Sequence, residues 1–287
     1  RAITEYRGTL GWNPNFAYAF MASRVPESDL DEIRLESVRG LANCSEPVTR
    51  ESQDRFATRF AAQGLSSDVF FGCYAMAETT FAVTHGRPSD SNYLDEAGPE
   101  DGHSRRGHGA FVSVGKPIDG VVLEVVDDDG RVLEERCIGE LRVRSPFNLE
   151  SYYNNPDATR DAVEDGWYYT GDLGYRVDDS FYVCGRKRDL LITSGVNVYA
   201  QDLEDVVSAV EGVLKGRVAA FADFDEALQT DRIVILAEMD LEPSDYPRVL
   251  CDARQRIQAT FHISHFQLYP VQPGSLIKSS SGKMARR

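Results

Sequence analysis

Trp167-Tyr168-Tyr169-Thr170-Gly171-Asp172-Leu173-Gly174-Tyr175, followed by Tyr182-Val183-Cys184-Gly185-Arg186-Lys187-Arg188-Asp189-Leu190-Leu191, is the stretch whose reading decides the fold. Thr-Gly-Asp and Gly-Arg alone are strings that chance supplies in many proteins. The two long segments together are far more specific. Between them, Val177-Asp178-Asp179-Ser180 reads as the turn of a β-hairpin. Upstream, Val121 to Arg144 carries a second hairpin signal: VVLEVV, then Asp127-Asp128-Asp129-Gly130, then RVL and GELRVR. The middle of the chain is therefore expected to be a β-rich subdomain that completes a larger domain.

Downstream of Gly185-Arg186 the pattern becomes a compact alternation. Leu190 to Thr193 reads as a strand, and Leu203, Val206, Val207 and Val210 recur at helical spacing and stop at Gly212. Strands are expected at Val218 to Ala222, Ile233 to Met239 and Gln267 to Val271, with a helix from about Pro247 to Ala259. The expected fold class is α/β: a large-domain portion over residues 1–187, then a small α+β domain over residues 188–287. A Ser/Gly-rich segment from Pro273 to Lys283 reads as a loop, since glycine permits close backbone approach to a ligand.

Composition narrows the class of function. The chain has 287 residues, 42% of them hydrophobic, which suits a globular core. Its formal charge of −15, from 31 Lys+Arg against 46 Asp+Glu, repels phosphate backbones and anionic lipid, so neither nucleic acid nor a membrane surface is the expected partner. Cys44, Cys73, Cys137, Cys184 and Cys251 form no CxxC pair, and reduced thiols in a cytoplasm are the expectation. No apolar run reaches the ~18 residues of a membrane span. The chain opens at Arg1 without an initiator Met.

Four motifs stand in fixed order: Tyr74-Ala75-Met76-Ala77-Glu78-Thr79-Thr80, Tyr168-Tyr169-Thr170-Gly171-Asp172, Gly185-Arg186-Lys187-Arg188-Asp189 and Ser279-Ser280-Ser281-Gly282-Lys283. Together, over nearly the whole chain, they resemble the later part of the superfamily that activates carboxylic acids as acyl-adenylates: acyl-CoA synthetases, fatty acyl-AMP ligases, peptide-synthetase adenylation domains and luciferases. The resemblance implies ATP and Mg²⁺ as cofactors, a carboxylic acid as substrate, and CoA or a phosphopantetheinyl carrier protein as acyl acceptor. It implies that Glu78 holds magnesium, a hard cation that prefers carboxylate oxygen, and that Tyr74 stacks on adenine. Asp172 would accept the ribose hydroxyls, with Arg186 approaching the ribose or phosphate. Lys283 would be the catalytic cation, entering when the small domain rotates about a hinge at Arg188. Ser45, Glu46 and Pro47 would border adenine and the acyl pocket. Phe16 and Tyr18 match acyl-pocket positions, although aromatics at that spacing also make ordinary core. Ser194-Gly195-Val196-Asn197 lies where CoA-using relatives line the pantetheine tunnel. The sequence departs from the family at Ala75, usually glycine, at Ala77, often threonine, and at Arg188, often Asp or Lys. The Ser/Thr/Gly-rich loop ending in Pro-Lys-Gly, which in this family wraps the ATP phosphates, is not found here, so the resemblance implies a C-terminal portion of a longer protein.

Three features resemble the fatty acyl-AMP ligase branch. These are the long Glu78 to Ser113 stretch with its polar, Gly-rich part, the run Asn197-Val198-Tyr199-Ala200-Gln201-Asp202-Leu203-Glu204, and Pro273-Gly274-Ser275-Leu276 running into SSSGK. An acyl-CoA synthetase, or a relative that binds acyl-adenylate without making it, are the alternatives.

Overall fold

A computed structural model describes residues 1–45, 48–88, 90, 93–99, 110–193, 196–225 and 230–278. It divides into two compact units, the first ending at Cys184 and the second beginning at Gly185.

The first unit opens with three parallel strands, Leu10–Pro14, Gly40–Cys44 and Phe70–Ala75, in adjacent order. Two antiparallel strands, Ala82–His85 and Lys116–Pro117, extend the same sheet. Every residue of Gly40–Cys44 is buried, as expected of a parallel strand covered on both faces. One cover is the pair of crossover helices Asn15–Arg24 and Arg50–Phe60, which bury Tyr18, Phe56 and Phe60 against Phe70 and Leu41. Tyr18 sits edge-on to Phe56 and Phe70, with ring centroids 5.3 and 5.5 Å away. Burying an aromatic or aliphatic side chain of this kind contributes about 1.5–3 kcal/mol each.

The second sheet of this unit is the expected β-rich subdomain. Its order is Val163–Glu164, Trp167–Val177, Gly139–Arg144, Val122–Val126, with Ser180–Arg186 also paired to Trp167–Val177. The Asp178 turn forms as read, with Asp178 at φ 51°. The Asp127 to Gly130 turn also forms, its Asp127 amide donating to the Arg131 carbonyl at 3.0 Å. Its return limb differs from expectation: Val132 makes a single bridge to Val126, and the full ladder of Val122–Val126 runs instead with Gly139–Arg144. Tyr175 stacks on Tyr182 at 4.9 Å, and its hydroxyl donates to Asp95 at 2.8 Å. Asp95 is only 7% exposed and is paired with Arg136 at 2.9 Å, which ties the short Leu94–Asp95 strand to this sheet.

The second unit is an α+β module. The hairpin Leu190–Thr193 and Val196–Tyr199 leads into helix Ala200–Ser208. Strand Val213–Asp225 pairs antiparallel with Thr230–Met239, which pairs parallel with Phe266–Val271. Helix Tyr246–Phe261 runs beyond both ends of its expected span. Pro247 sits in its first turn, where the missing N–H costs nothing, and His262 closes it in the left-handed region at φ 57°. Val249, Ala253, Ile257 and Phe261 recur every fourth residue along one buried stripe and meet Leu203 and Val207 in a single core.

Candidate active site

The carboxyl ends of the three parallel strands carry three of the motif positions, the place where open α/β sheets bind ligands. Phe16 follows Leu10–Pro14, Ser45 follows Gly40–Cys44, and Tyr74 with Glu78 ends and follows Phe70–Ala75. Asn15 ties two of these ends together. Its side-chain oxygen accepts from Asn43 at 2.9 Å, from the Thr49 amide at 3.1 Å and from the Ser52 hydroxyl. Ser45 itself has φ 71°, a left-handed conformation that a non-glycine residue holds only when its surroundings impose it.

After Tyr74 the chain makes a tight 3₁₀ turn, Ala77–Thr79, closed by the Met76 amide donating to the Phe81 carbonyl at 2.8 Å. Glu78 projects from this turn, half-buried. Asp172 arrives from the other sheet. Between Tyr169 and Leu173 the Trp167–Val177 strand bulges away from Gly139–Arg144, and a bulge re-aims the side chains it contains. Gly171 takes φ 68° there, and its amide donates to Glu140 at 3.0 Å. Thr170 donates to the Leu141 carbonyl at 2.7 Å and accepts from the Asp172 amide at 3.0 Å. This is the physical reason for Thr-Gly-Asp: a hydroxyl to pin the bulge, a residue free to turn left-handed, and the carboxylate so presented.

The Tyr74 hydroxyl donates to Asp172 Oδ2 at 2.6 Å. Burial first, then the Asp172 charge and its hydrogen bond, push the Tyr74 phenol well above its ordinary range, so it stays a donor. Glu78 Oε1 accepts from Tyr152 at 3.1 Å, and the Tyr152 and Tyr168 hydroxyls are 3.2 Å apart. Burial also raises both of these phenols. Tyr152 was not among the sequence candidates. Its only local signal is Asn155-Pro156, a helix-start pair that shows the segment is ordered but not what it touches.

Among the described residues no group of three or more His, Cys, Asp or Glu could hold a metal. Glu78, a single carboxylate, nevertheless fits Mg²⁺, which takes one or two protein carboxylates and completes its shell from substrate phosphates and water. Tyr18 is placed as core. It is fully buried, and its hydroxyl donates to the Ala42 carbonyl at 2.7 Å, so no face of the ring lines a pocket. Phe16 is exposed.

In the second unit, Gly185 is required by packing, because a Cβ there would lie 2.6 Å from the Tyr199 ring. Arg186 ends the Ser180–Arg186 strand. Arg188 lies in the 3₁₀ turn Lys187–Asp189, mostly exposed and 3.8 Å from the Asp189 carboxylate. Glu46, Pro47, Ser194, Gly195 and Lys283 lie outside the described residues. The approach to Lys283 is anchored at Leu276. Its amide donates to Glu238 at 2.7 Å and its carbonyl accepts from Arg217 at 3.0 Å.

Residues 1–153 match the model of the AMP-binding enzyme family. The chain is 30% identical over 99% of its length to a Caulobacter vibrioides protein provisionally named acyl-CoA synthetase, of which it covers 51%. It is 29% identical over 97% of its length to the Mycobacterium tuberculosis protein provisionally named fatty-acid–CoA ligase FadD21, of which it covers 52%. The chain thus spans about half the length of these curated relatives. Among solved structures, fatty acyl-adenylate ligases from E. coli and L. pneumophila align with TM-score 0.84 at 26% identity, over 99% of this chain and 52% of theirs. McyG A-PCP complexed with phenylalanyl-adenylate aligns with TM-score 0.79 at 27% identity, over 99% of this chain and 50% of its own. A bulge-mounted aspartate, a turn-mounted glutamate and a family match across more than half of the chain converge on one assignment: this chain belongs to the AMP-binding enzymes, in the superfamily of acyl-CoA synthetases, fatty acyl-AMP ligases and peptide-synthetase adenylation domains.

Proposed function

We propose that the full-length protein activates a carboxylic acid, a fatty acid, as acyl-AMP at the expense of ATP, and then passes the acyl group to the thiol of a phosphopantetheinyl carrier protein. The observation that carries this reading is a pair of carboxylates each held by a tyrosine hydroxyl: Glu78, just past the carboxyl end of the parallel strand Phe70–Ala75, and Asp172, on the bulge of the antiparallel sheet. The acid's carboxylate oxygen attacks the α-phosphorus, the bond from that phosphorus to the bridging oxygen breaks, and pyrophosphate leaves. Magnesium, when bound, neutralises charge on the phosphates as they separate. Glu78 would hold the ion, and Asp172 would accept the ribose hydroxyls while Tyr74 keeps its carboxylate aimed. Arg186 would donate its fork to the ribose or phosphate. Lys283 would meet the acid and the α-phosphate in the transition state, the interaction that raises rate rather than affinity. Arg188 would be the pivot of the small domain, residues 188–287, between the two half-reactions.

The carrier acceptor is supported by the resemblance to fatty acyl-adenylate ligases and to an adenylation domain joined to a PCP. The second reading, transfer to CoA, is favoured by the names of the curated relatives. Either suits a reducing cytoplasm, with all five cysteines as free thiols. Among the described residues no helix is long and apolar enough to cross a membrane. The test is acid-dependent AMP and acyl-AMP formation with ATP, Mg²⁺ and a panel of fatty and aromatic acids, with and without CoA. Acyl-AMP that accumulates and is untouched by CoA supports the carrier-dependent ligase. Rapid conversion to acyl-CoA assigns the synthetase, and no adenylate at all overturns the activity.

A further inference from the structure

The Tyr152 hydroxyl has one proton and two neighbours, Glu78 Oε1 at 3.1 Å and the Tyr168 hydroxyl at 3.2 Å. An ionised carboxylate can only accept, so that proton goes to Glu78 and Tyr168 must donate its own to the Tyr152 oxygen. The bonds form a directed chain, Tyr168 to Tyr152 to Glu78, in which each polarises the next. The segment bearing Tyr152 also grips the Glu78 turn through its backbone. The Leu149 amide donates to the Glu78 carbonyl at 2.7 Å, and the Thr80 hydroxyl donates to the Phe147 carbonyl at 3.3 Å. On its other side the segment is pinned to helix Pro156–Ala162, where the Tyr152 amide donates to Thr159 Oγ1 at 2.9 Å. Tyr152 therefore reaches Glu78 from a support that is itself held. Among the described residues no protein donor reaches the other Glu78 oxygen.

We propose that Tyr152 is a positioning residue for Glu78, holding one carboxylate oxygen so that the other faces the metal ion of the metal–nucleotide complex. This rests on the reading of Glu78 as the metal ligand. Residues that orient a ligating group typically change metal affinity or activity by about 10–100-fold when removed. Tyr152→Phe deletes only the hydroxyl, and Tyr168→Phe deletes the donor behind it.

The test uses the full-length protein with Mn²⁺ and the α,β-methylene analogue of ATP, following loss of the free-ion electron paramagnetic resonance signal. The expected result is an increase of about 10-fold in the Mn²⁺ concentration for half-occupancy in Tyr152→Phe, with a smaller increase in Tyr168→Phe. Tyr153→Phe, whose side chain is 92% exposed, should match wild type. Thr159→Ala loosens the backbone of Tyr152 while leaving both hydroxyls, and should raise half-occupancy too; it also covers the case in which Tyr152→Phe melts early. Half-occupancy unchanged in Tyr152→Phe and Thr159→Ala overturns the role of Tyr152 alone. A wild type that immobilises no Mn²⁺ with the analogue overturns the metal assignment of Glu78 and this proposal with it.

Discussion

The corner around Tyr74, Glu78 and Asp172 in the first unit and the approach to Lys283 in the second place functional candidates by different means. In the first, tyrosine hydroxyls on separate elements reach across to two carboxylates at 2.6 and 3.1 Å. In the second, a carboxylate with 1% exposure, Glu238, takes a backbone amide of the incoming loop, and Arg217 takes the adjoining carbonyl. The candidate carboxylates are held side chain to side chain, whereas the described approach to Lys283 is held through its backbone at Leu276. The contrast fits the proposal that the first unit supplies a binding platform and the second a catalytic lysine.

Lys283→Ala is the strongest way to break this contrast. In the full-length protein acyl-AMP formation should fall on the order of 10²–10³-fold, the usual loss when one transition-state contact is removed. ATP affinity, measured by nucleotide titration, should change little. Equal loss of both would make Lys283 part of the platform. Next in size, Leu203→Ala opens a cavity in the core of the second unit, where Leu203 is fully buried. It should cost roughly 3 kcal/mol in denaturant unfolding. A near-neutral result would mean that this unit is not the well-packed body its core describes.

Tyr74→Phe sharpens the comparison from the other side. It leaves Asp172 Oδ2 without its 2.6 Å donor, and losing a hydrogen bond to a charged group costs about 1.5–3 kcal/mol. The expected outcome is a rise of about 10-fold in KM for ATP with a smaller change in kcat. A loss confined to kcat would move Tyr74 from the platform to the chemistry. The smallest effect concerns Glu238. Burial alone would raise its pKa, but the Leu276 and Gly274 amides, with Arg217 and Lys278, bring it below 4.5. A carboxyl depressed in the folded state stabilises above its unfolded pKa and loses that contribution as pH falls through the folded value. The excess stability of wild type over Glu238→Gln should be complete above pH 4.5 and shrink below it. Parallel curves through that window would show that the charge of Glu238 contributes nothing to fastening the loop.

Much of the second unit was legible because its signals are local. Val249, Ala253, Ile257 and Phe261 repeat at helical spacing, and the apolar runs of its sheet alternate with turns. Strand Val213–Asp225 proved longer than its apolar stretch: the ladder continues past Ala222 through Asp223 to Asp225, and at the other end Val213 pairs with Met239 across an irregularity before Val218. Thr170-Gly171-Asp172 was legible as a motif, and the bulge explains why those three residue types occur together. Tyr18 was not legible. An aromatic beside a helix start looks the same in sequence whether it faces a pocket or, as here, Phe56 and Phe70.

Local sequence was enough for the family, for most elements from Val121 onward and for the short list of candidate carboxylates and lysine, because each is written in residues close together along the chain. The three parallel strands of the first unit, and what holds the candidate carboxylates, came from the fold alone. Tyr74 and Asp172 are 98 positions apart, and Tyr152 and Glu78 are 74 apart. A hydroxyl is chemically the same wherever it occurs; its partner is set by which strand ends, bulges and turns the folded core brings within about 3 Å, a distance no local pattern encodes.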